Sequence, residues 1–289
     1  MEKAIFITKA DELTYVTAKY HRLYFGNEFC QQLIPSPSEL KKVLTYVQKE
    51  NLSFSLVTPY VTNEGLKKLE GLFDLFRNAR LADEIIVNDW GVLNLVNRRY
   101  PQMKPVLGRL LTKQKRGPTL IKLLKREGKK KLFEDPKNPE ESYVIVQKKL
   151  PLELDSYYKG SNAASVPVLH RFLISRGIER IELDNTAQGL ALDLPLGNIS
   201  ASVYFPYIYI TTTFYCPSAG CGGKDKSFLK VKPCHRECQK YIFQLRHKSM
   251  PKVIYLKGNT QFYKNRKLHI QAWAKAGVDR IVFEPHIPV

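Results

Sequence analysis

The sequence predicts an α/β protein, a TIM-like (β/α) barrel, and three observations carry that prediction. Short β-rich runs alternate with amphipathic helical stretches from about residue 20 onward, the pattern of parallel βαβ units. The chain has 289 residues, 44% of them hydrophobic, enough for one large core in the size range of such barrels. No G-x-G-x-x-G loop follows an early strand and no G-x-x-x-x-G-K-[ST] loop occurs, so an open nucleotide-binding sheet lacks its phosphate cradle. Residues 1–289 are therefore expected to form a single barrel domain, closed or else incomplete and distorted. A basic insertion around residues 113–160 and a cysteine loop at 216–238 interrupt it.

The elements follow in order. Residues 12–25 carry short β-rich runs closed by Gly26-Asn27. A helix opens at Pro35-Ser36-Pro37-Ser38, with Ser38 as its expected cap, and runs to about Glu50 on Leu40, Val43, Leu44 and Val47. Ser53–Thr58 reads as a strand that Pro59 stops. Leu66, Leu69, Leu72, Phe73 and Phe76 form the next helical stripe. EIIVN (84–88) is a strand, followed by Asp89 and a helix on Val92, Leu93 and Val96, and PVLGRLL (105–111) is the next strand. Beyond the insertion come a helix over 165–176 and a strand at Ile181–Leu183. Ser202 to Tyr215 is an apolar, β-branched, aromatic stretch that reads as buried strand. Val253–Leu256, a helix over Leu268–Ala276 and a strand at Arg280–Phe283 complete the chain.

The net charge is +19, from 46 Lys plus Arg against 27 Asp plus Glu, which favours anionic partners. Ten basic residues and one acid fall between Arg109 and Lys131. That segment reads either as a solvated face or as a surface for RNA or a small polyanionic substrate. There is no apolar run of membrane-spanning length and no signal peptide, so the expected location is cytoplasmic. Five cysteines is an odd number for paired disulfides, and four of them crowd into Cys216-x4-Cys221-x12-Cys234-x3-Cys238. In a reducing compartment this points to metal. Thiolates serve both zinc and iron–sulfur clusters, and the spacing leaves both open. The absence of any C-x-x-C tilts it towards iron.

At these residues the chain resembles the collagenase-like peptidase family, the U32 peptidases, in particular a short, UbiV-like branch. YFGNEFC, ending in Cys30, resembles the family's leading strand and early cysteine. EIIVNDWGVLNL and VLGRLL resemble its next motifs, GNISASVYFPYIYITTTFYC its strand into the first clustered cysteine, and CHREC and VIYLKGNTQF the cysteine pair and a following barrel strand. The resemblance implies a 4Fe–4S cluster on Cys30, Cys216, Cys234 and Cys238, with Cys221 the rival of Cys216. It implies oxygen-independent hydroxylation of an aromatic ring or RNA base, as catalytic or accessory subunit of a heteromer with a related protein. The strand usually carrying Val-His-Gly reads Ser202-Val203-Tyr204-Phe205 here, which argues against peptidase activity.

Two further residues are candidates for chemistry. Asp89, at a strand end, could position substrate or act as acid/base, or it could simply cap a helix. Arg109 could grip a carboxylate or phosphate with its planar fork, or form a salt bridge at the rim. Asn259 and Thr260 could line the same mouth. A zinc-bearing, RNA-binding barrel without redox chemistry is the competing expectation, and a peptidase the weaker one.

Overall fold

The computed structural model describes residues 1–78, 84–119, 129–133, 137–138, 140, 143–147, 157–161, 163, 166–192, 199–222, 232–248 and 250–289. Eight parallel strands close into a barrel: β1 (Glu2–Ile7), β2 (Arg22–Gly26), β3 (Ser53–Val57), β4 (Glu84–Val87), β5 (Lys104–Leu107), β8 (Arg180–Asp184), β9 (Ser200–Phe205) and β14 (Val278–Phe283), the last pairing with the first. The barrel is thus complete. Its thinnest seam is β5 against β8, registered at the single pair Leu107 and Ile181. The inserted segment leaves the wall at this seam. Within the insertion, β6 (Lys129–Phe133) and β7 (Tyr143–Gln147) pair as an antiparallel ladder; residues 120–128 and 148–156 lie outside the described set.

Helices α1 (Pro37–Lys49), α2 (Asn63–Asn78), α3 (Trp90–Arg99), α4 (Pro167–Ser175) and α5 (Ile270–Lys275) stand between the strands. Helix α1 buries Leu40, Val43, Leu44 and Val47 as its spacing requires. Its cap is Ser36, not Ser38. Pro37 occupies the first helical position, where no amide is needed, and Glu39 completes a reciprocal box with the Ser36 backbone (2.9 Å).

Two assignments from the sequence change. Residues 2–7, EKAIFI, form a barrel strand that the alternation count began too late to include. The stretch from Ser202 to Tyr215 is two strands that part at Pro206. β9 stays in the barrel, and β10 (Tyr207–Thr212) leaves it for a separate antiparallel sheet. That sheet runs β10, β13 (Thr260–Lys264), β12 (Ile254–Lys257), β11 (Phe243–Leu245), so VIYL is not a barrel strand. Phe29 after β2, Leu110 after β5 and Ile287 after β14 pack with Tyr209, Cys238 and Phe262 of the excursion. The extra sheet therefore caps the C-terminal mouth. No described helix is long and apolar enough to cross a membrane.

The barrel's interior is layered. At the N-terminal end Arg280 bridges Glu84 (2.7 and 3.0 Å) and Glu2 (2.5 Å), and Arg22 pairs with Glu2 (2.9 Å). Above lie Phe6, Tyr24, Val57, Ile86, Val106, Tyr204 and Val282, with Tyr204 edge-on to both Phe6 and Tyr24. Such filling by side chains makes the barrel a packed core and leaves chemistry to its rim.

Candidate thiol site at the barrel mouth

The mouth is built from strand ends. Asn27 follows β2, and its Oδ1 accepts the amides of Phe29 (3.0 Å) and Cys30 (2.8 Å), which fixes the thiol-bearing loop. Cys216 follows β10 by four residues. Cys234 and Cys238 flank a tight turn in which Arg236 adopts a left-handed conformation (φ 59°). The buried Glu237 carboxylate ties this turn to the preceding loop, accepting Gly220 N (2.7 Å) and His235 N (3.0 Å). Burial opposes its charge. Its own amide and those two nevertheless hold it below the usual carboxylate range.

A cavity of about 380 Å³ opens at this point. Cys30, Cys216 and Cys234 share its wall with Phe29, Tyr60, Phe214, Tyr215, Lys232 and Asn259. Asn259 Nδ2 lies 2.6 Å from Phe29 O, 2.9 Å from Tyr60 Oη and 2.8 Å from Thr213 O. It thereby joins the β2 loop, the β3 loop and the β10 exit. Cys238 is buried behind the wall, against the β12–β13 turn. A Cβ placed on Gly258 would lie 3.2 Å from its Cβ and 3.7 Å from its Sγ, so glycine there (φ 63°) serves both conformation and clearance.

The structure places three of the five cysteines, Cys30, Cys216 and Cys234, on one cavity wall. Burial pushes the Cys216 thiol up to about 12, with Cys234, Cys238 and Cys30 close enough to add to the shift. Burial likewise raises Cys30, with Cys238 and Cys234 adding to it. Cys221 stands apart. It does not line the cavity, and the charged groups acting on it are Glu237, Cys238 and Lys232, not Cys30 or Cys216. Among the described residues, no three His, Cys, Asp or Glu side chains converge closely enough to hold one metal ion.

Asp89 and Arg109 have other occupations. Asp89 caps α3, its Oδ1 accepting Gly91 N (2.6 Å) and Val92 N (3.2 Å) while Oδ2 takes Val61 N (3.4 Å). Arg109 is fully buried, not at a rim. Its guanidinium donates to Glu28 (3.0 Å from Nε), Asp184 (2.9 Å) and Glu284 (2.7 Å) and lies 3.9 Å from the Tyr204 ring centroid. It has no fork left for a substrate. Arg116, also buried, completes the cluster by pairing with Asp184. Two of the ten cations of the basic segment are therefore consumed inside the protein. Sequence reasoning missed the partners because Glu28, Asp184 and Glu284 come from three separate strand ends.

This cluster sets three carboxylates against two guanidiniums, so one proton balances it. Burial, only partly offset by Arg109, pushes Glu284 up to about 8. In the layer below, burial pushes Glu182 up to about 7 despite Arg280 and Arg180. A carboxyl that holds its proton more tightly when folded gives stability present in full below its ordinary value near 4.5, and lost as pH rises through 7 and 8. The unfolding free energy from urea titrations should accordingly fall between pH 5 and pH 9, by on the order of 1 kcal/mol per pH unit for each proton released. Glu284→Gln should flatten the upper part of that slope; an unchanged profile in the variant would refute the assignment.

No family model and no curated protein matches the chain. Among solved structures it is similar to the U32 peptidase Mk0906, at 9% identity and a TM-score of 0.48, covering 100% of this chain and 94% of that one. It is also similar to a glycoside hydrolase family 18 N-acetylglucosaminidase from Paenibacillus barengoltzii, at 11% identity and a TM-score of 0.38, covering 98% of this chain and 94% of that one. Neither likeness carries an argument at these TM-scores, and the barrel stands on its own strand pairing.

Proposed function

We propose that this chain is an iron–sulfur protein in which Cys30, Cys216, Cys234 and Cys238 hold a 4Fe–4S cluster. Its aromatic-walled cavity would take part in oxygen-independent hydroxylation of an aromatic ring or RNA base, as the catalytic or accessory half of a heteromer. The observation that carries the reading is that Cys30 lines one cavity with Cys216 and Cys234, some 200 residues away in sequence, while Cys221 is not among the lining residues.

The donor set fits such a cluster. Cys30, Cys216 and Cys234 offer soft sulfur ligands along one cavity wall and Cys238 lies behind it, the donor type that both zinc and iron–sulfur clusters take. As thiols, the half-buried Cys30 and Cys216 resist ionisation; a bound cation would reverse that balance and release their protons. When bound, a cluster on four thiolates supplies one-electron transfer. The chain's own residues have separate tasks. Asn259 locks three loops around the cavity, and Phe29, Tyr60, Phe214 and Tyr215 present ring faces and edges to an aromatic guest. Lys232 contributes a cation to the same wall.

The test is purification of the full chain without oxygen, followed by iron, acid-labile sulfide and zinc analysis. About four iron and four sulfide per chain with broad visible absorption are expected. A colourless protein carrying zinc would end the proposal in favour of a local zinc knot.

A further inference from the structure

Behind the thiol turn lies a second cavity, of about 190 Å³, that shares no lining residue with the first. Lys9 after β1, Asn27 after β2, Glu39 in the first turn of α1, and Arg236 and Gln239 of the thiol turn border it. Asn27 is 1% exposed, and its Oδ1 is spent on the amides of Phe29 and Cys30. Its Nδ2 is buried with no acceptor. A buried donor left unpaired is costly, and such a group in a native fold calls for a bound water, ion or ligand. The cavity is far larger than the roughly 10–15 Å³ that one water needs.

Charge around this space is positive. Lys9 and Arg236 are exposed, and neither has an ion-pair partner among the described residues. Glu39 is the wall's carboxylate side chain, and it is engaged as a helix cap, accepting Ser36 N (2.9 Å) and Ser36 Oγ (2.7 Å). The N-terminal end of the 13-residue helix α1 adds its partial positive charge. We propose that this cavity binds a small oxyanion, a carboxylate or a phosphate, held by Asn27 Nδ2 from the buried side and by Lys9 and Arg236 from the solvent side. A metal cation would meet two like charges, and an apolar guest would leave the amide unpaired. The site does not rest on the cluster, yet the two are joined. Asn27 Oδ1 accepts the Cys30 amide (2.8 Å), Arg236 N donates to Cys234 Sγ (3.4 Å), and Gln239 Nε2 donates to Cys238 Sγ (3.5 Å). Residues that border the anion thus also position the thiol loops.

The experiment is isothermal titration calorimetry of the full chain, purified without oxygen in phosphate-free buffer, with sodium phosphate, sodium sulfate and sodium acetate in turn. Ionic strength is held constant with chloride, so that screening of the chain's net charge does not change. Saturable one-to-one binding of at least one anion is expected, and comparing phosphate with acetate identifies the preferred chemistry. Asn27→Asp keeps the acceptor that fixes the Cys30 loop, whose two amides favour the ionised form, and replaces the unpaired donor with an anionic oxygen. It should abolish binding. Lys9→Gln and Arg236→Asn should each weaken binding about tenfold and serve if Asn27→Asp fails to fold; asparagine suits the left-handed backbone at that position (φ 59°). Lys49→Gln, at the far end of α1, should leave binding unchanged. No saturable binding of any of the three anions overturns the proposal and leaves the amide to water. Binding that survives Asn27→Asp, or that neither Lys9→Gln nor Arg236→Asn weakens, puts the anion elsewhere and overturns it equally. Iron and sulfide, measured on the same samples, report on the cluster separately.

Discussion

Cys216→Ala, purified without oxygen, is expected to lose its iron and its colour, whereas Cys221→Ala keeps both. Removing even an outer partner of a metal ligand typically costs about 10–100-fold in affinity, and removing a thiolate ligand itself costs more. The contrast between the two variants follows from position. Cys216 shares a cavity wall with Cys30 and Cys234, and Cys221 does not. Cys30→Ala is the sharpest member of the series, because a zinc knot made from Cys216, Cys221, Cys234 and Cys238 has no use for Cys30. Iron loss in Cys30→Ala with retention in Cys221→Ala supports the long-range site. The opposite pair of results, measured as metal per chain, would establish the local one.

Replacing Arg109 with methionine should destabilise the fold by about 3–5 kcal/mol, read as a lower urea midpoint at neutral pH. Methionine fills much of the volume, so lost packing is a small part of the effect. The larger part is electrostatic: Glu28, Asp184 and Glu284 are all fully buried, and without the guanidinium only Arg116 remains to oppose them. Breaking a buried pair by removing one partner typically costs this much because a charge is left uncompensated. Arg109→Lys should recover only a fraction, since a point charge cannot serve three carboxylates arranged around a planar fork. A change below about 1 kcal/mol in the methionine variant, the size of an exposed pair, would show that the cluster is already neutralised by bound protons.

The barrel was legible because its strands are largely buried and read as near-continuous apolar runs such as EIIV and FSLV, with amphipathic helices between them. Where the reading failed, the reason is physical. IYLK alternates buried and partly buried positions, the period of a sheet with one open face, and that alternation was the available sign that it lies outside the barrel. The run EKAIFI is a barrel strand between β2 and β14, and no helix of the alternating kind separates it from β2 to announce it. Asp89 and Arg109 both stand at strand ends, where function gathers in this architecture. One caps a helix and the other is neutralised by acids from three distant strand ends, and nothing near Arg109 in sequence reveals those acids. For the cysteines, position after a strand pointed to the rim. The same position after a strand favoured Cys216 over Cys221, which sits in the glycine loop AGCGG, and of the two only Cys216 lines the cavity.

The first strand of the barrel waits for the last. β1 is made within the first seven residues, yet one of its two neighbours, β14, begins only at Val278. At the ribosome's pace of about 5–20 residues per second, roughly 15–55 s separate them. Throughout that interval the nascent chain carries an apolar strand with a bare edge, a template for wrong pairing. The circular order of this wall therefore leaves that edge uncovered until synthesis is nearly done.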